Sequence, residues 1–277
     1  LGHSLKAPLP GRGELMFVRV TEAKTTEDRE RLFRFRYRIY AEELQKNLPG
    51  MDHDKRIYRD QQDDYSLLLA AVDQDTGRIV GTARTVRLGD GALPEHVASH
   101  LNMMPMVDTL GPEAVSYTSA MMVDPAYRGK TVASLLALAL YRNAVRGGVR
   151  ADVCVSEMGL VRLYHQLGYR PYWHPFRPHE GSGLRVPMVI GVGDRSYLQR
   201  VDSPFKALCR PGDDDKGESI DRIKALYPLC VDPPVTPTEK RALWAALAHG
   251  AAQPEALHIF QGFTEDDIED LLETYPQ

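Results

Sequence analysis

The residues Val123-Asp124-Pro125-Ala126-Tyr127-Arg128-Gly129-Lys130-Thr131-Val132-Ala133 carry the most informative chemistry in this sequence. They follow an apolar run from Val115 to Val123, which reads as a strand, and lead into an apolar helix through Ala144. A strand that passes into a helix through a Gly-containing turn aims unpaired backbone N–H groups at one point. Those donors and the positive helix end make an anion site suited to the diphosphate of a bulky cofactor. Arg128 and Lys130 add charge at its mouth. Gly129-Lys130-Thr131 also has the ending of a nucleoside-triphosphate loop. That motif needs a glycine five residues before its second glycine, where this chain has Asp124, whose carboxylate would repel a triphosphate. A basic strand–helix turn with no ligand fits the same residues equally well.

A second segment narrows the choice. Arg150 to Ser156 reads as another strand, and Leu160, Leu163, Tyr164 and Leu167 then fall at helical spacing before Gly168, a natural C-terminal stop. Arg128-Gly129-Lys130-Thr131-Val132-Ala133 resembles the Arg-x-x-Gly-x-Gly/Ala signature of the GCN5-related N-acetyltransferase (GNAT) superfamily, with Thr131 in place of the second glycine. The β-branched side chain takes room from a close phosphate, while its hydroxyl can donate a hydrogen bond. Leu163-Tyr164-His165-Gln166-Leu167-Gly168-Tyr169 resembles the end of the same superfamily's core. The resemblance implies a mixed, mostly antiparallel α/β (α+β) sheet flanked by helices. It also implies a phosphopantetheine thioester, acyl-coenzyme A or acyl-acyl carrier protein, as co-substrate, and Tyr164 as the acid that protonates the departing thiolate. A core tyrosine on an amphipathic helix is the other reading of Tyr164.

The elements that must position these groups are legible on either side. Leu15 to Val20 reads as a strand, and Thr26 as the cap of a helix from Glu27 to Leu44. Phe33, Tyr37, Tyr40 and Leu44 give that helix one buried face, and Arg31, Arg34 and Arg38 share another. Gln45 to Asp64 is a polar stretch without periodicity, expected to be a functional loop. Tyr65 to Val72 and Arg78 to Leu88 read as strands joined by a hairpin at residues 73–77, and Leu93 to Leu101 as a short helix. Tyr169 to Trp173 and Arg185 to Val192 read as strands around the Pro- and Gly-rich Pro175 to Gly183. Tyr197 to Cys209 is expected to be helical with a break before Pro204. Pro211 to Asp215 reads as an acidic joint, followed by helices at Glu239 to Ala248 and Glu265 to Glu273. The expected organisation is a flexible N-terminus at 1–14, with Leu1 to Ser4 a tag remnant, an acyltransferase domain at 15–210, and a helical C-terminal appendage at 211–277. Leu257 to Leu272 weakly resembles the entry to a cyclic-nucleotide-binding domain, with a plain helical tail as the alternative.

Composition removes several function classes. A formal net charge of −4 over 277 residues gives no electrostatic footprint for nucleic acid. No apolar run reaches the length that spans a bilayer, and no secretory signal is visible. The three cysteines, Cys154, Cys209 and Cys230, have no paired spacing, which points to a reducing, cytoplasmic compartment and to no metal site. Cys154 lies between Val153 and Val155 and reads as a buried, inert thiol.

A narrower resemblance covers residues 15–207. Arg36-Tyr37-Arg38-Ile39-Tyr40-Ala41-Glu42-Glu43-Leu44, Asp63-Asp64-Tyr65-Ser66 and Gly81-Thr82-Ala83-Arg84 resemble the first half of bacterial N-acyl amino acid synthases and acyl-homoserine-lactone synthases. Val186 to Val189, Asp194 and Ser203-Pro204-Phe205 resemble the end of the acyl amino acid synthase core. The lactone synthases carry Glu-x-Ser-Arg in the strand before the cofactor loop; here the run is Tyr117-Thr118-Ser119-Ala120, so a lactone product is not expected. Asp64, Arg84 and Ser119 are the amine-recognising candidates the resemblance leaves, with a strand cap and an ordinary ion pair as the alternatives for Asp64 and Arg84.

The expected reaction is direct acyl transfer from a thioester to the amine of an amino acid or similar small molecule. Met121, Met122 and Val123 would lend backbone groups to the pantetheine arm and polarise the carbonyl. Arg128, Gly129, Lys130, Thr131, Val132 and Ala133 would hold phosphate, Tyr164 would protonate sulfur, and Glu157 would take the amine's proton. The basic face of Arg31, Arg34 and Arg38 would suit acidic acyl carrier protein, or would simply be solvated. Two alternatives stand: an acetyl-coenzyme A N-acetyltransferase of a small amine or protein lysine, and an inactive acyl-coenzyme A sensor.

Overall fold

The structure, a computed structural model, describes residues 5–7, 16–129, 131–178, 183–209, 217–227, 230 and 232. In chain order it runs β1 (Leu5–Ala7), β2 (Met16–Glu22), α1 (Thr26–Tyr37), β3 (Met51–Asp52), β4 (Ile57–Tyr58), β5 (Leu67–Asp73), β6 (Ile79–Arg87), α2 (Glu95–Leu101), α3 (Met104–Leu110) and β7 (Val115–Val123). It continues through α4 (Val132–Arg146), β8 (Ala151–Glu157), α5 (Val161–Leu167), β9 (Arg170–Pro171), β10 (Arg185–Gly191), α6 (Arg195–Arg200) and α7 (Gly217–Leu226). The sheets are mixed with helices and mostly antiparallel, as the sequence predicts. The expected joint at 211–215, the helices at 239–248 and 265–273 and the segment 257–272 lie outside the described residues.

The chain forms two compact units, residues 1–92 with 117–143, and residues 93–116 with 144–277. In the first, strands lie in the order β1-β2-β5-β6-β7, and the pairs β1 with β2, β2 with β5 and β5 with β6 are antiparallel. The strand period of two decides its layers. On β5, Leu68 and Ala70 face α1 and pack with Leu32 and Phe33, while Leu69 and Ala71 pack with Val132, Leu136 and Leu140 of α4. A strand covered on both faces reads as a continuous apolar run rather than an alternating one, which is the pattern Leu67-Leu68-Leu69-Ala70-Ala71-Val72 shows. Val132, Leu136 and Leu140 recur every fourth residue and so share one side of α4. Gly81 lets that helix approach: a Cβ there would lie 3.0 Å from Val132 Cγ1, 3.1 Å from Leu136 Cδ1 and 3.2 Å from the Met122 carbonyl oxygen.

Helix α1 starts one residue earlier than the sequence predicts. Thr25 is the cap, not Thr26: its hydroxyl accepts the Asp28 N–H at 3.1 Å while the Asp28 carboxylate faces the Thr25 N–H, a reciprocal capping box. The C-terminal end also differs. Residues Arg38–Glu43 form a π-helical turn, with the Leu44 N–H on the Ile39 carbonyl. The widened turn rotates later side chains off the α-helical phase, so Leu44 is 44% exposed instead of completing the face set by Phe33 and Tyr37. The stretch 45–64, expected to be a loop, holds the β3–β4 ribbon and a 3-10 turn at Gln61–Asp64.

The second unit holds the antiparallel order β8-β10-β9. Strand β9 is shorter than the predicted 169–173, although the Tyr172 N–H still donates to the Pro187 carbonyl of β10; the Tyr172 ring sits edge-on to Tyr227, and its hydroxyl donates to the Leu101 carbonyl. Helix α3 has no counterpart in the sequence reading. Gly168 ends α5 at φ +106°, and a Cβ there would meet Leu198 Cδ2 at 2.4 Å, so only glycine fits both the turn and the packing. Arg170 is buried over the Tyr197 ring and pairs with Asp194 at 2.7 Å and with Asp232. Asp232 also takes Arg200 and Lys224, tying the residues after α7 to this unit.

Candidate functional site

The strand–turn–helix passage is where the sequence puts it. Strand β7 ends at Val123, and Asp124 caps a 3-10 turn at Pro125–Tyr127 by accepting the Ala126 N–H at 3.0 Å. The other Asp124 oxygen accepts from Arg38 at 2.6 Å. Burial alone would raise this carboxyl, but the Arg38 contact and the Ala126 amide overcome it and hold it below its ordinary value. Tyr127 donates to Asp73 at 2.6 Å, which, with burial, pushes the phenol up to about 12. Arg128 folds back: its Nε donates to the Val123 carbonyl at 3.0 Å, and its Nη1 lies 2.6 Å from Glu43. Gly129 has φ +69°, where glycine is favoured, and a Cβ there would meet nothing within 4 Å. Lys130 lies outside the described residues. Thr131 is exposed, and its carbonyl accepts the first helical bond of α4, from Leu135 at 2.9 Å. Val132 is buried under the helix and Ala133 half-buried beside it.

Before the turn, Met121 and Val123 pack toward the α4 core, while Met122 presents its carbonyl toward Gly81. Ala120, inside β7, has φ +50°. A non-glycine residue held in that left-handed region is a local backbone strain just ahead of the turn.

The same unit holds a desolvated charge cluster. Asp60 and Asp63 sit three apart and cap the 3-10 turn reciprocally: Asp60 accepts the Gln62 N–H at 2.9 Å, and Asp63 accepts the Asp60 N–H at 2.9 Å. Arg84 bridges them, 2.5 Å from Asp60 and 3.0 Å from Asp63, while its Nε donates to the Ser119 hydroxyl at 3.1 Å. Arg36 donates to Asp63 at 2.7 Å. Burial would raise the Asp63 carboxyl, but Arg36 and Arg84 hold it down; burial would lower Arg84, but Asp63 and Asp60 hold it up. Two cations and two anions cancel. Asp60 is the member that reaches solvent, with a side chain 26% exposed.

Of the amine-recognising candidates, Arg84 and Ser119 meet in this cluster and Asp64 does not. Asp64 is exposed and pairs with Arg59 at 2.9 Å. Asp60 and Asp63 are the carboxylates the sequence reading missed, and the signal for them is the Asp-x-x-Asp capping spacing just before Tyr65-Ser66. The three helix arginines are also engaged within this unit: Arg31 on the Gly77 carbonyl, Arg34 on Glu30 and the Lys55 carbonyl, and Arg38 on Asp124.

Tyr164 and Glu157 belong to the second unit. Tyr164 is buried on α5, edge-on to Tyr169 with ring centroids 5.4 Å apart. Glu157 is exposed at the end of β8 and pairs with Arg185 at 3.0 Å. Also buried there is Asp152, which accepts from Ser116 at 2.5 Å and from Tyr169 at 2.6 Å. Burial first, and then Asp152, pushes the Tyr169 phenol far up. His165 is driven down to about 4 by burial and stays neutral near pH 7. Among the described residues no group of three or more His, Cys, Asp or Glu could hold a metal ion, and no helix is long and apolar enough to cross a membrane.

Residues 35–138 match the family model of the acetyltransferase (GNAT) domain. That span includes the capped turn, Gly129, Asp60, Asp63, Arg84 and Ser119, and stops before Glu157 and Tyr164. TofI, solved in a ternary complex with an inhibitor and MTA, is 23% identical; the alignment covers 69% of this chain and 99% of that one, with a TM-score of 0.52. FeeM, an N-acyl amino acid synthase from uncultured soil microbes, is 11% identical over 70% of this chain and 99% of that one, with a TM-score of 0.51. No curated protein matches the sequence. The architecture is thus a GNAT-like fold, as the resemblance at 128–133 implies.

Proposed function

We propose that this protein moves an acyl group from a phosphopantetheine thioester, carried by acyl carrier protein or coenzyme A, to the amine of an amino acid or similar small molecule. The observation that carries the reading is the turn itself. Strand β7 holds Ala120 at positive φ, ends in a side-chain-capped turn, and enters α4 through Gly129 at positive φ, with Arg128 at the mouth. The donor phosphate binds at that turn and at the first amides of α4, which have no partners within the helix.

Amine recognition falls to the partly solvated end of the charge cluster. Asp60 receives the substrate ammonium, and Arg84, held by Ser119, fixes the Asp60 carboxylate. The amine must lose a proton before it attacks. Its nitrogen adds to the thioester carbonyl carbon, the strand's backbone groups at Met121 to Val123 stabilise the developing oxyanion, and collapse expels the thiolate. Tyr164 gives that sulfur its proton. Glu157 accepts the amine's proton through water, and most rate gain comes from positioning and polarisation. FeeM's stated activity, acyl transfer to an amino acid, is the same class of reaction.

The test is a product screen. Acyl-coenzyme A and acyl-acyl carrier protein of several chain lengths are incubated with the full chain and a panel of amino acids, and extracts are read by mass spectrometry. An N-acyl amino acid is expected. Products from acetyl-coenzyme A alone, on amines outside the panel, would favour an N-acetyltransferase, the reading that the family model's description supports. No product with any donor ends the proposal.

A further inference from the structure

Glu43 has a feature that the proposed chemistry does not use. It sits at the end of the π-helical turn, with a side chain only 25% exposed. Its Oε1 holds Arg128 Nη1 at 2.6 Å, while its Oε2 is buried with no hydrogen-bond partner. Arg128 is a cation at the mouth of the phosphate turn, and its side chain is 47% exposed. An arginine binds phosphate best through a fork of two parallel N–H groups. Here Nε is committed to the Val123 carbonyl and Nη1 to Glu43. Each two-nitrogen edge that includes Nη2 therefore has one member already engaged.

We infer that Glu43 is a gate on the donor site: it competes with the donor's phosphate for Arg128 and sets how tightly that phosphate is held. This rests on the reading of the turn as the phosphate site. When a phosphate takes Arg128, Glu43 keeps a partly desolvated carboxylate with no cation beside it, and that cost is subtracted from donor affinity. The π-helical turn is what brings the competitor into place. The same turn begins with Arg38, which neutralises Asp124, so both ends of one short helical segment adjust the charge of the phosphate turn. A small anion that makes only the Arg128 contact cannot offset the lost pair; a diphosphate that also meets the helix amides can. Glu43 thus selects for a carrier-type ligand over free phosphate.

The experiment is a calorimetric titration of the full chain at fixed ionic strength, with coenzyme A as probe and pantetheine as its phosphate-free counterpart. The variants are Glu43→Gln, Glu43→Asp, Arg128→Ala and the double variant Glu43→Gln/Arg128→Ala. Removing the competitor is expected to tighten coenzyme A about fivefold, the worth of a partly exposed ion pair. Glu43→Asp, whose shorter side chain reaches Arg128 less well, is expected to fall between wild type and Glu43→Gln. Pantetheine affinity should not move. In the Arg128→Ala background, Glu43→Gln should change nothing, an outcome that a merely structural role for Glu43 would not produce. Equal or weaker coenzyme A binding in Glu43→Gln, or the same tightening without Arg128, overturns the gate while leaving the phosphate site standing. Absence of coenzyme A binding in wild type and in every variant overturns both.

Discussion

Asp63→Asn tests whether the charge cluster holds the first unit together. Asp63 and Arg36 are both almost fully buried, 2.7 Å apart, and Arg84 lies 3.0 Å from the same oxygen. The asparagine keeps the shape and removes the charge. Arg36 then has no anion beside it, while its Nε and Nη2 already lack hydrogen-bond partners. Removing one partner of a buried pair costs about 3–5 kcal/mol, because the other charge stays desolvated. For a chain of this size that corresponds to a fall in Tm of roughly 6 to 20 °C. Thermal melts by circular dichroism at neutral pH supply the reading. The effect also has a pH signature. Burial would raise the Asp63 carboxyl, but the two arginines outweigh it and hold the native value below 3.8. The unfolded chain therefore takes up this proton at higher pH than the native chain. The stabilisation is complete above the ordinary carboxylate range and is lost as pH falls through it toward the native value. The gap in Tm between wild type and Asp63→Asn should hold steady at neutral pH and close below about pH 4. A variant that melts within a degree or two of wild type at pH 7 refutes the claim that this pair is structurally decisive.

Three further outcomes follow from the same coordinates. Gly81→Ala puts a Cβ 3.0 to 3.2 Å from Val132, Leu136 and the Met122 carbonyl, and the backbone oxygen cannot yield; overpacking of this kind costs about 1–3 kcal/mol. The denaturation midpoint should drop and donor affinity weaken, since α4 opens the phosphate turn; an unchanged midpoint contradicts the packing described. Tyr164→Phe should lower kcat by about 10²- to 10⁴-fold, with donor affinity kept within twofold, the range general acid catalysis supplies; a kcat equal to wild type removes Tyr164 from the chemistry. Of the three cysteines, only half-buried Cys209 should react with a thiol reagent at pH 8 in the folded protein, because burial raises the Cys154 thiol far above its usual value and Cys230 to about 12. Titration of more than one thiol per native chain would show that one of the buried pair is accessible.

The parts of the fold that the sequence disclosed are those in which periodicity and punctuation agree. Strand β7 begins and ends at the predicted Val115 and Val123 because Pro125 cannot continue a ladder and Asp124 caps the turn. Gly168 stops α5 where predicted because the left-handed backbone and Leu198 both demand glycine. Several of the misses share a cause: groups distant in sequence decided the outcome. Nothing local in Arg38 to Glu43 announces a π-helical turn, which is fitted by the Asp124 and Arg128 contacts across about 85 residues. Asp64 is a recognising candidate through the resemblance at Asp63-Asp64-Tyr65-Ser66, yet the adjacent Asp63 is the one turned inward. The Asp60-x-x-Asp63 capping spacing fixes which carboxylate faces Arg84, and that spacing was readable. Arg31, Arg34 and Arg38 read as one basic face, for docking or solvated, because the Gly77 carbonyl, the Lys55 carbonyl and Asp124 that engage them lie on other elements.

At Asp124 the fold replaces one argument against a triphosphate loop with another. Its charge seemed to rule out a triphosphate loop by repulsion. In the fold that charge is neutralised by Arg38, so repulsion is a weak argument. The stronger one is the fate of the amides. A triphosphate loop works by leaving a run of backbone N–H groups open toward its ligand. Here the Ala126 N–H goes to the Asp124 carboxylate, the Tyr127 N–H to the Asp124 carbonyl, and the Arg128 N–H to the Pro125 carbonyl. The turn before Gly129 has spent its donors on itself. Among the described residues, the amides left at this passage are those at Gly129 and in the first turn of α4, so an anion bound here would seat over the helix end and not within the preceding loop. That geometry suits a phosphate with a long arm leading away from the helix end. It does not suit three phosphates wrapped by one loop.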